Sequence, residues 1–234
     1  MHSGARKPNL TSLSIFEVGA VKDVSFLIDL LPAYIFPHDE RTIGEWVLAG
    51  FSLGGHATWI ALRQGTCAHH ASSLSNLLTL ALEKKEPRIR IGIPICACPD
   101  YLALIEPSAE RHGIPRAPPY LPSSLRALIG AHAAITATTT PGKPDGPSDH
   151  ASASVYSGKS VLVLSGADDK IVPWEVSRAL VEAVDVGRSG RKEVVVVGGA
   201  KHEFTEEMRE EMFRFFWEEA LVGGRTAAVQ RSAL

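Results

Sequence analysis

The chain has 234 residues, of which 45% are hydrophobic and 21% charged, with a formal net charge of −2. This length and composition suit one soluble α/β domain with a sizeable core, and the lack of a basic stripe excludes nucleic acid and anionic membrane surfaces as expected partners. Three cysteines, Cys67, Cys96 and Cys98, are too few for a disulfide framework and indicate a reducing compartment.

The first residues carry no pattern typical of targeting. No apolar run follows Arg6 and Lys7, so we expect no signal peptide. The most apolar early segment, residues 21–36, is interrupted by two aspartates and a proline and is too short to span a bilayer. We therefore expect a cytoplasmic protein that does not contact membranes.

The first predicted elements are a helix, a strand and a second helix. Residues 21–31 place Val24, Leu27, Ile28 and Leu31 at helical spacing, and Pro32 is expected to end or kink this helix. An apolar strand is predicted at 46–49 and a helix at 56–62.

The rest of the chain alternates strands with helices. Strands are predicted at 88–98, 160–164 and 193–197, and helices at 77–82, 101–105, 123–132, 174–184 and 205–221. Residues 64–75 are predicted to be a polar insertion, 136–158 a mobile loop and 225–234 a frayed tail. The alternation predicts an α/β fold, with a parallel sheet covered by helices on both faces and active groups at the carboxyl ends of the strands.

The segment after the first strand contains the motif G-x-S-x-G, as Gly50-Phe51-Ser52-Leu53-Gly54. A serine nucleophile must stand clear of the backbone on a tight strand-to-helix turn, which forces strained dihedral angles at the serine. The glycines on either side are expected to let strand and helix pass without a Cβ clash. The N-terminus of the following helix would stabilise the negative charge that develops on the substrate oxygen during acyl transfer. The alternative is a turn in which Ser52 only caps the helix.

Two later strand ends carry ionisable groups. Asp168 and Asp169 follow the strand at 160–164, and His202 follows the strand at 193–197. The order serine, aspartate, histidine is the chain order of the catalytic set on an α/β-hydrolase sheet. His202 would accept the proton of Ser52, and the aspartate would orient the imidazole and stabilise its charged form. The first oxyanion donor would be the backbone N–H of Leu53.

Structural explanations exist for each of these residues separately. Either aspartate could cap a turn or the helix that begins near Pro173, Lys170 could form a surface ion pair, and His202 could be an ordinary loop histidine. Three such residues in this order, each at a separate strand end, favour a triad.

The remaining histidines and cysteines receive structural interpretations. His56 is expected to pack in the first turn of its helix, and the pair His69–His70 is expected to lie on the surface without a metal. Cys96 and Cys98 lie in an apolar strand, too close together and with too few partners for zinc, and are expected to belong to the core.

Six segments of the chain resemble the α/β-hydrolase superfamily, most closely a group of intracellular fungal hydrolases of poorly defined substrate. These segments are 27–37 (LIDLLPAYIFP), 50–56 (GFSLGGH), 98–101 (CPDY), 161–166 (VLVLSG), 172–174 (VPW) and 202–203 (HE). The resemblance runs from about residue 1 to residue 220 and implies a hydrolase fold without a cofactor. It places Ser52, Asp169 and His202 on the three catalytic positions. It favours Asp169 over Asp168, because the family's acid lies three residues after the glycine that matches Gly166.

The chain departs from this superfamily before the nucleophile. Only 51 residues precede Ser52, whereas members usually place several strands and a glycine-rich loop, which supplies the second oxyanion N–H, before the serine. Residues 2–6 (HSGAR) resemble the family's His-Gly-x-Arg stretch, which follows the fourth strand. The resemblance therefore implies an N-terminally shortened fold whose serine strand lies at an exposed sheet edge, where the protein could self-associate.

We expect a single domain over 1–234, with 101–158 as a cap above the site. The expected activity is cleavage of a small-molecule ester or thioester through an acyl-enzyme on Ser52, without cofactor or metal. Side chains expected to line an apolar acyl or aryl pocket are Phe51, Tyr101, Tyr120, Leu121 and Leu125. Two alternatives remain open: an impaired or non-catalytic hydrolase-like chain acting as an interaction module, and an acyltransferase on the same fold.

Overall fold

The computed structural model describes residues 10–63, 86–118, 120–132 and 154–223. Its strands are β1 (Trp46–Phe51), β2 (Ile89–Ile95), β3 (Ser160–Gly166) and β4 (Arg191–Val197). Its helices are α1 (Leu10–Ile35), α2 (Leu53–Leu62), α3 (Tyr101–Arg111), α4 (Ser123–His132), α5 (Trp174–Ala183) and α6 (Glu206–Phe216), and a π-helical segment covers Trp217–Gly223.

The four strands form one parallel sheet in the order β1-β2-β3-β4. Phe51 lies beside Ile95, and Ile95 lies beside Leu164, so the residues that follow these strands emerge at one edge of the sheet. The central strands β2 and β3 are buried almost throughout, whereas β1 and β4 are partly exposed. Among the described residues, the outer edge of β1 pairs with no further strand.

Helices cover both faces of the sheet, as the alternation of strands and helices predicts. On one face, Val161 and Val163 of β3 pack in a core with residues of α1, α2 and α5. On the other face, Leu162 and Leu164 pack with Met208 and Phe215 of α6. Because successive side chains of a strand point to opposite faces, the continuous apolar sequence of β3 supplies both cores.

Helices α3 and α4 pack against each other after β2. Ile105, Leu121, Leu125 and Ile129 form a small buried cluster between them. Leu104 of α3 packs with Cys98 and Val172, close to the carboxyl ends of the strands. The described part of the expected cap is thus joined to the sheet by apolar contacts, while residues 133–153 of that cap lie outside the described residues.

Several helix predictions differ from the structure. Helix α1 does not end at Pro32 but continues to Ile35, because a proline in the last turn removes only one helical hydrogen bond. Leu27 was expected on the buried face of this helix and is 45% exposed. The helix expected to run from Thr205 to Leu221 changes to π-helical geometry after Phe216.

Other predicted elements fall outside the described residues. These are the helix at 77–82, the insertion at 64–75, the tail at 225–234 and most of the loop at 136–158. No helix in the described part of the chain is long and apolar enough to cross a membrane.

Candidate functional site

Ser52 occupies the turn between β1 and α2 with a backbone that L-residues rarely adopt. Its φ is 53° and its ψ is −115°. Such a conformation costs on the order of 1–3 kcal/mol and persists only where the surrounding structure holds it. The Ser52 N–H donates to the Ile95 carbonyl at 2.8 Å, and the Ser52 carbonyl accepts from the His56 N–H at 3.0 Å. Both contacts fix the serine at the strand ends.

The glycines of this turn have unequal roles. A Cβ atom on Gly50 would lie 2.1 Å from the Gly54 carbonyl oxygen, and one on Gly55 would lie 2.6 Å from Ala97 Cβ. A Cβ on Gly54 would meet nothing within 4 Å. The expectation that both glycines of G-x-S-x-G relieve a clash is therefore wrong for Gly54, and the second tight position is Gly55.

The structure brings the serine, histidine and aspartate side chains into one hydrogen-bonded chain. His202 Nε2 lies 2.8 Å from Ser52 Oγ, and His202 Nδ1 lies 2.7 Å from Asp169 Oδ2. Since an ionised carboxylate can only accept, the hydrogen on Nδ1 points to Asp169, and Nε2 accepts from the serine hydroxyl. Ser52 makes no side-chain capping bond to α2, which contradicts the alternative of a simple helix cap.

Asp169 is fixed by hydrogen bonds, whereas Asp168 takes no part in the hydrogen-bonded series that joins Ser52, His202 and Asp169. The Asp169 side chain has no exposed surface, and its Oδ1 accepts from the backbone N–H groups of Ile171 at 2.8 Å and Val172 at 2.9 Å. The residue thus caps a turn with one oxygen and contacts His202 with the other. Asp168 is exposed to solvent.

Leu53 is the first residue of α2, so its backbone N–H belongs to the helix-terminal donors that have no intrahelical acceptor. This position suits an oxyanion donor next to Ser52. Among the described residues we assign no second donor, and residues 2–6 lie outside them.

The residues expected to line an apolar pocket occupy different environments. Phe51 is 40% exposed, with its ring 5.0 Å from the His202 ring, and Tyr120 is 37% exposed. Tyr101 is half-buried and packs edge-on against His56 at 5.2 Å. Leu121 and Leu125 are buried between α3 and α4, where they stabilise the packing of these helices.

His56 is buried in the first turns of α2, as the sequence predicts. Its Nδ1 lies 2.9 Å from the Cys98 carbonyl, to which it donates. Burial is the main cause that lowers its pKa to about 4; the Cys98 hydrogen bond opposes the shift and the nearby His202 adds to it. His56 therefore carries no charge near neutral pH and packs beneath the site.

A cleft of about 830 Å³ opens beside His202. It is lined by residues 167–171 after β3, by Pro173 and Glu175, by Lys201 and His202 after β4, and by Arg111 at the end of α3. The lining holds three basic and three acidic residues, whose formal charges cancel, and apolar atoms make up most of its exposed surface. Sequence reasoning did not place Arg111, Lys170 and Lys201 at this cleft, although the two lysines adjoin Asp169 and His202 in the chain.

Cys96 completes the set of possible metal ligands at this site. Its Sγ, an Asp169 oxygen and a His202 nitrogen lie within 4.8 Å of one another. A metal ion here would have to displace the hydrogen bond between Asp169 and His202. It would also need the Cys96 thiolate, whose formation is disfavoured because burial raises the pKa to about 11. Cys96 and Cys98 are both buried in the core, as predicted.

Comparison with known proteins gives structural matches only. No protein-family model matches the chain, and no curated protein matches it. It is similar to an inhibited esterase B from Lactobacillus rhamnosis, with a TM-score of 0.54 and 17% identity over 91% of this chain and 65% of that chain. A carboxylesterase from Lactobacillus plantarum matches with a TM-score of 0.52 and 15% identity over 86% of this chain and 68% of that chain.

An acylaminoacyl peptidase from Pyrococcus horikoshii is also similar, with a TM-score of 0.51 and 14% identity over 88% of this chain. The chain spans only 28% of the length of that peptidase and less than two thirds of the length of esterase B. At these identities the likeness shows the fold alone. The parallel sheet with helices on both faces has the α/β-hydrolase fold.

Proposed function

We propose that this chain is a serine hydrolase that cleaves an ester or thioester through an acyl-enzyme on Ser52. One observation carries the proposal, namely the hydrogen-bonded chain from Ser52 Oγ through His202 to Asp169. The strained backbone of Ser52, which aims the hydroxyl at His202 instead of at α2, supports it.

In the first step, His202 Nε2 accepts the proton as Ser52 Oγ attacks the carbonyl carbon of the substrate. Asp169 keeps Nδ1 protonated and stabilises the imidazolium. The carbonyl oxygen becomes an oxyanion, which the Leu53 N–H and the N-terminus of α2 stabilise. When the tetrahedral intermediate collapses, the bond to the alcohol or thiol breaks, and the His202 proton passes to the leaving group.

The second step repeats this chemistry with water. His202 accepts a proton from a water molecule, whose oxygen attacks the acyl carbon on Ser52. The oxyanion forms again at the same N–H groups. Its collapse releases the carboxylic acid and returns the proton through His202 to Ser52, so the enzyme is regenerated without a cofactor.

The test uses a fluorescent fluorophosphonate, which forms a bond from Ser52 Oγ to phosphorus as fluoride leaves. The native chain, Ser52→Ala, His202→Ala and the exposed control Ser189→Ala would be labelled at equal concentration. We expect the native chain and Ser189→Ala to be labelled and the two triad variants to remain unlabelled. Labelling of folded Ser52→Ala would overturn the nucleophile assignment.

An ester and thioester screen follows labelling, with the products identified in the presence and absence of an added alcohol. Free acid as the main product supports hydrolysis. A new ester of the added alcohol as the main product would instead favour acyl transfer, the alternative chemistry that the same acyl-enzyme allows.

A second candidate is a hydrolase-like chain that does not turn over and acts as an interaction module. The observation that favours it is the outer edge of β1, which pairs with no strand among the described residues. An oxyanion hole that lacks one donor lowers the rate of acyl transfer about 10²–10³-fold, which would leave a chain with a triad but little turnover. A folded chain without labelling, together with concentration-dependent self-association in sedimentation velocity, would favour this candidate.

A further inference from the structure

Phe51 lies directly before Ser52 and packs against His202. It is the last residue of β1, and its ring centroid lies 5.0 Å from that of the imidazole, with the two ring planes tilted by 42°. The side chain is 40% exposed, and it belongs to none of the apolar clusters that the described residues form. Packing in a core therefore does not explain an aromatic side chain at this position.

The Phe51 ring offers His202 an electrostatic contact and no hydrogen bond. Both imidazole nitrogens already have partners, since Nε2 lies 2.8 Å from Ser52 Oγ and Nδ1 lies 2.7 Å from Asp169 Oδ2. The face of a phenyl ring carries negative electrostatic potential, and it attracts a cation within about 6 Å of the ring centroid. The spacing of 5.0 Å lies within that range. Phe51 can therefore favour the charged imidazolium over the neutral imidazole.

The charge that forms on His202 during the reaction receives limited help from its other surroundings. The His202 side chain is only 15% exposed, so water stabilises the imidazolium only in part. Cys96 and His56, two titratable groups near the imidazole, are uncharged near neutral pH, because burial raises the pKa of Cys96 to about 11 and lowers that of His56 to about 4. The charged residues of the cleft beside His202, Asp169 included, cancel in formal charge. A further contact that favours the imidazolium therefore adds stabilisation that these groups do not supply.

We propose that Phe51 is a positioning residue that stabilises the imidazolium form of His202 in the transition states of the proposed hydrolysis. This inference rests on the proposed serine hydrolase function. The proton still passes from Ser52 Oγ to His202 Nε2 and then to the leaving group, and Phe51 exchanges no atom with the substrate. Because the attraction acts on the charged form, it lowers the barrier and leaves substrate binding unchanged. A role in lining an acyl or aryl pocket would instead change binding.

The experiment changes the electrostatic potential of the ring while keeping its shape. Mono-, di- and trifluorinated phenylalanine are placed at position 51 by stop-codon suppression, since each fluorine withdraws electron density from the ring face. The measured quantities are kinact and KI for a fluorophosphonate that carries alkyl groups only, at about pH 8, above the ordinary titration range of histidine. We expect kinact to fall stepwise with the number of fluorines, by about two- to fivefold in total, while KI stays the same.

Conventional variants give a matched comparison. Phe51→Tyr keeps an aromatic face and should retain kinact within about twofold, whereas Phe51→Leu keeps an apolar side chain without that face and should lower kinact by about two- to fivefold. The control is Phe213→Leu, which changes an exposed phenylalanine on α6 and should leave kinact and KI unchanged. Urea denaturation verifies that each variant is folded.

The outcomes separate this inference from the function on which it rests. Equal kinact values across the fluorinated series, even if Phe51→Leu is slower, would show that the ring acts by packing alone and would overturn the proposal. A change in KI with constant kinact would also overturn it and would place Phe51 in the substrate pocket. In both cases the chain is still labelled, so the hydrolase proposal stands. A folded native chain without labelling overturns both proposals.

Discussion

The carbonyl oxygen of Gly54 lies only 2.1 Å from the position that a Cβ atom on Gly50 would occupy. The same Cβ would lie 2.8 Å from the hydroxyl of Thr58, which donates to the Gly54 carbonyl at 2.9 Å. The first turn of α2 therefore crosses the end of β1 at a distance that requires a residue without a side chain at position 50. This crossing sets the direction in which Ser52 leaves the strand.

The first prediction concerns this pair of glycines. Gly50→Ala should lower the free energy of unfolding by about 3 kcal/mol or more, because backbone atoms must move to admit the methyl group. Gly54→Ala has open space in a helical backbone and should change stability by less than about 1 kcal/mol, in the stabilising direction. Urea denaturation of both variants measures the difference, and equal losses would contradict this account of the turn.

The second prediction concerns the aspartate of the hydrogen-bonded chain. In Asp169→Asn the amide oxygen can still accept from Ile171 and Val172, which turns the NH2 group toward His202. His202 must then carry its proton on Nε2 and can no longer accept from Ser52. We expect the rate of fluorophosphonate labelling to fall by about 10⁴, as for a triad with the wrong histidine tautomer.

The control for this variant is Asp23→Asn, which changes an exposed aspartate on α1. It should be labelled at the native rate. If Asp169→Asn were also labelled at the native rate while remaining folded, Asp169 would be a turn-capping residue without a role in activating Ser52.

The parts of this fold that the sequence predicts well are those encoded by local pattern. The apolar run of β3 supplies both cores, and the helix predicted from residue 205 begins there, where Thr205 accepts from the Met208 N–H as its cap. Ser52, the pair Asp168–Asp169 and His202 each follow a predicted strand, which places them at one sheet edge because parallel strands end together. The resemblance alone favoured Asp169 over Asp168. Helix ends were less accurate, since α1 continues past Pro32 because a proline in the last turn removes only one helical hydrogen bond.

The environments of Leu121 and Leu125 show why pocket residues are harder to predict from a sequence than strand ends. Leu121 and Leu125 were assigned to the pocket from their position and apolar character, and these same properties bury them between α3 and α4. Arg111 reaches the cleft through the length of α3, which extends six residues past the predicted end of that helix. Contacts between distant segments carry no periodic signal in the sequence.

The third prediction concerns the two described thiols. Burial raises the pKa of both Cys96 and Cys98 to about 11, which leaves little thiolate at pH 8. We expect iodoacetamide to modify them in the native chain at least about 100-fold more slowly than in urea. Peptide mapping by mass spectrometry measures each site separately. Fast modification of Cys96 in the folded chain would show that the floor of the site opens to solvent.

The fourth prediction concerns His56 and the pH dependence of stability. Its pKa is about 4 in the folded chain, against an ordinary value of 6.5. At pH values between 4 and 6.5, the unfolded chain binds more protons at His56 than the folded chain does. The contribution of neutral His56 to stability is therefore complete above pH 6.5 and is lost as the pH falls toward 4. The loss attributable to His56 should be on the order of 3 kcal/mol.

The measurement is urea denaturation of the native chain and of His56→Gln at several pH values from 4.5 to about 7.5, a window that brackets most of this titration. Because the carboxylates titrate in both proteins, the difference between the two curves gives the contribution of His56 to the pH dependence of the free energy of unfolding. We expect His56→Gln to be less stable than the native chain at pH 7.5, because it loses packing against Tyr101, and to lose less stability on acidification. A His56→Gln curve parallel to the native one would show that the pKa of His56 is the same in the folded and unfolded chains.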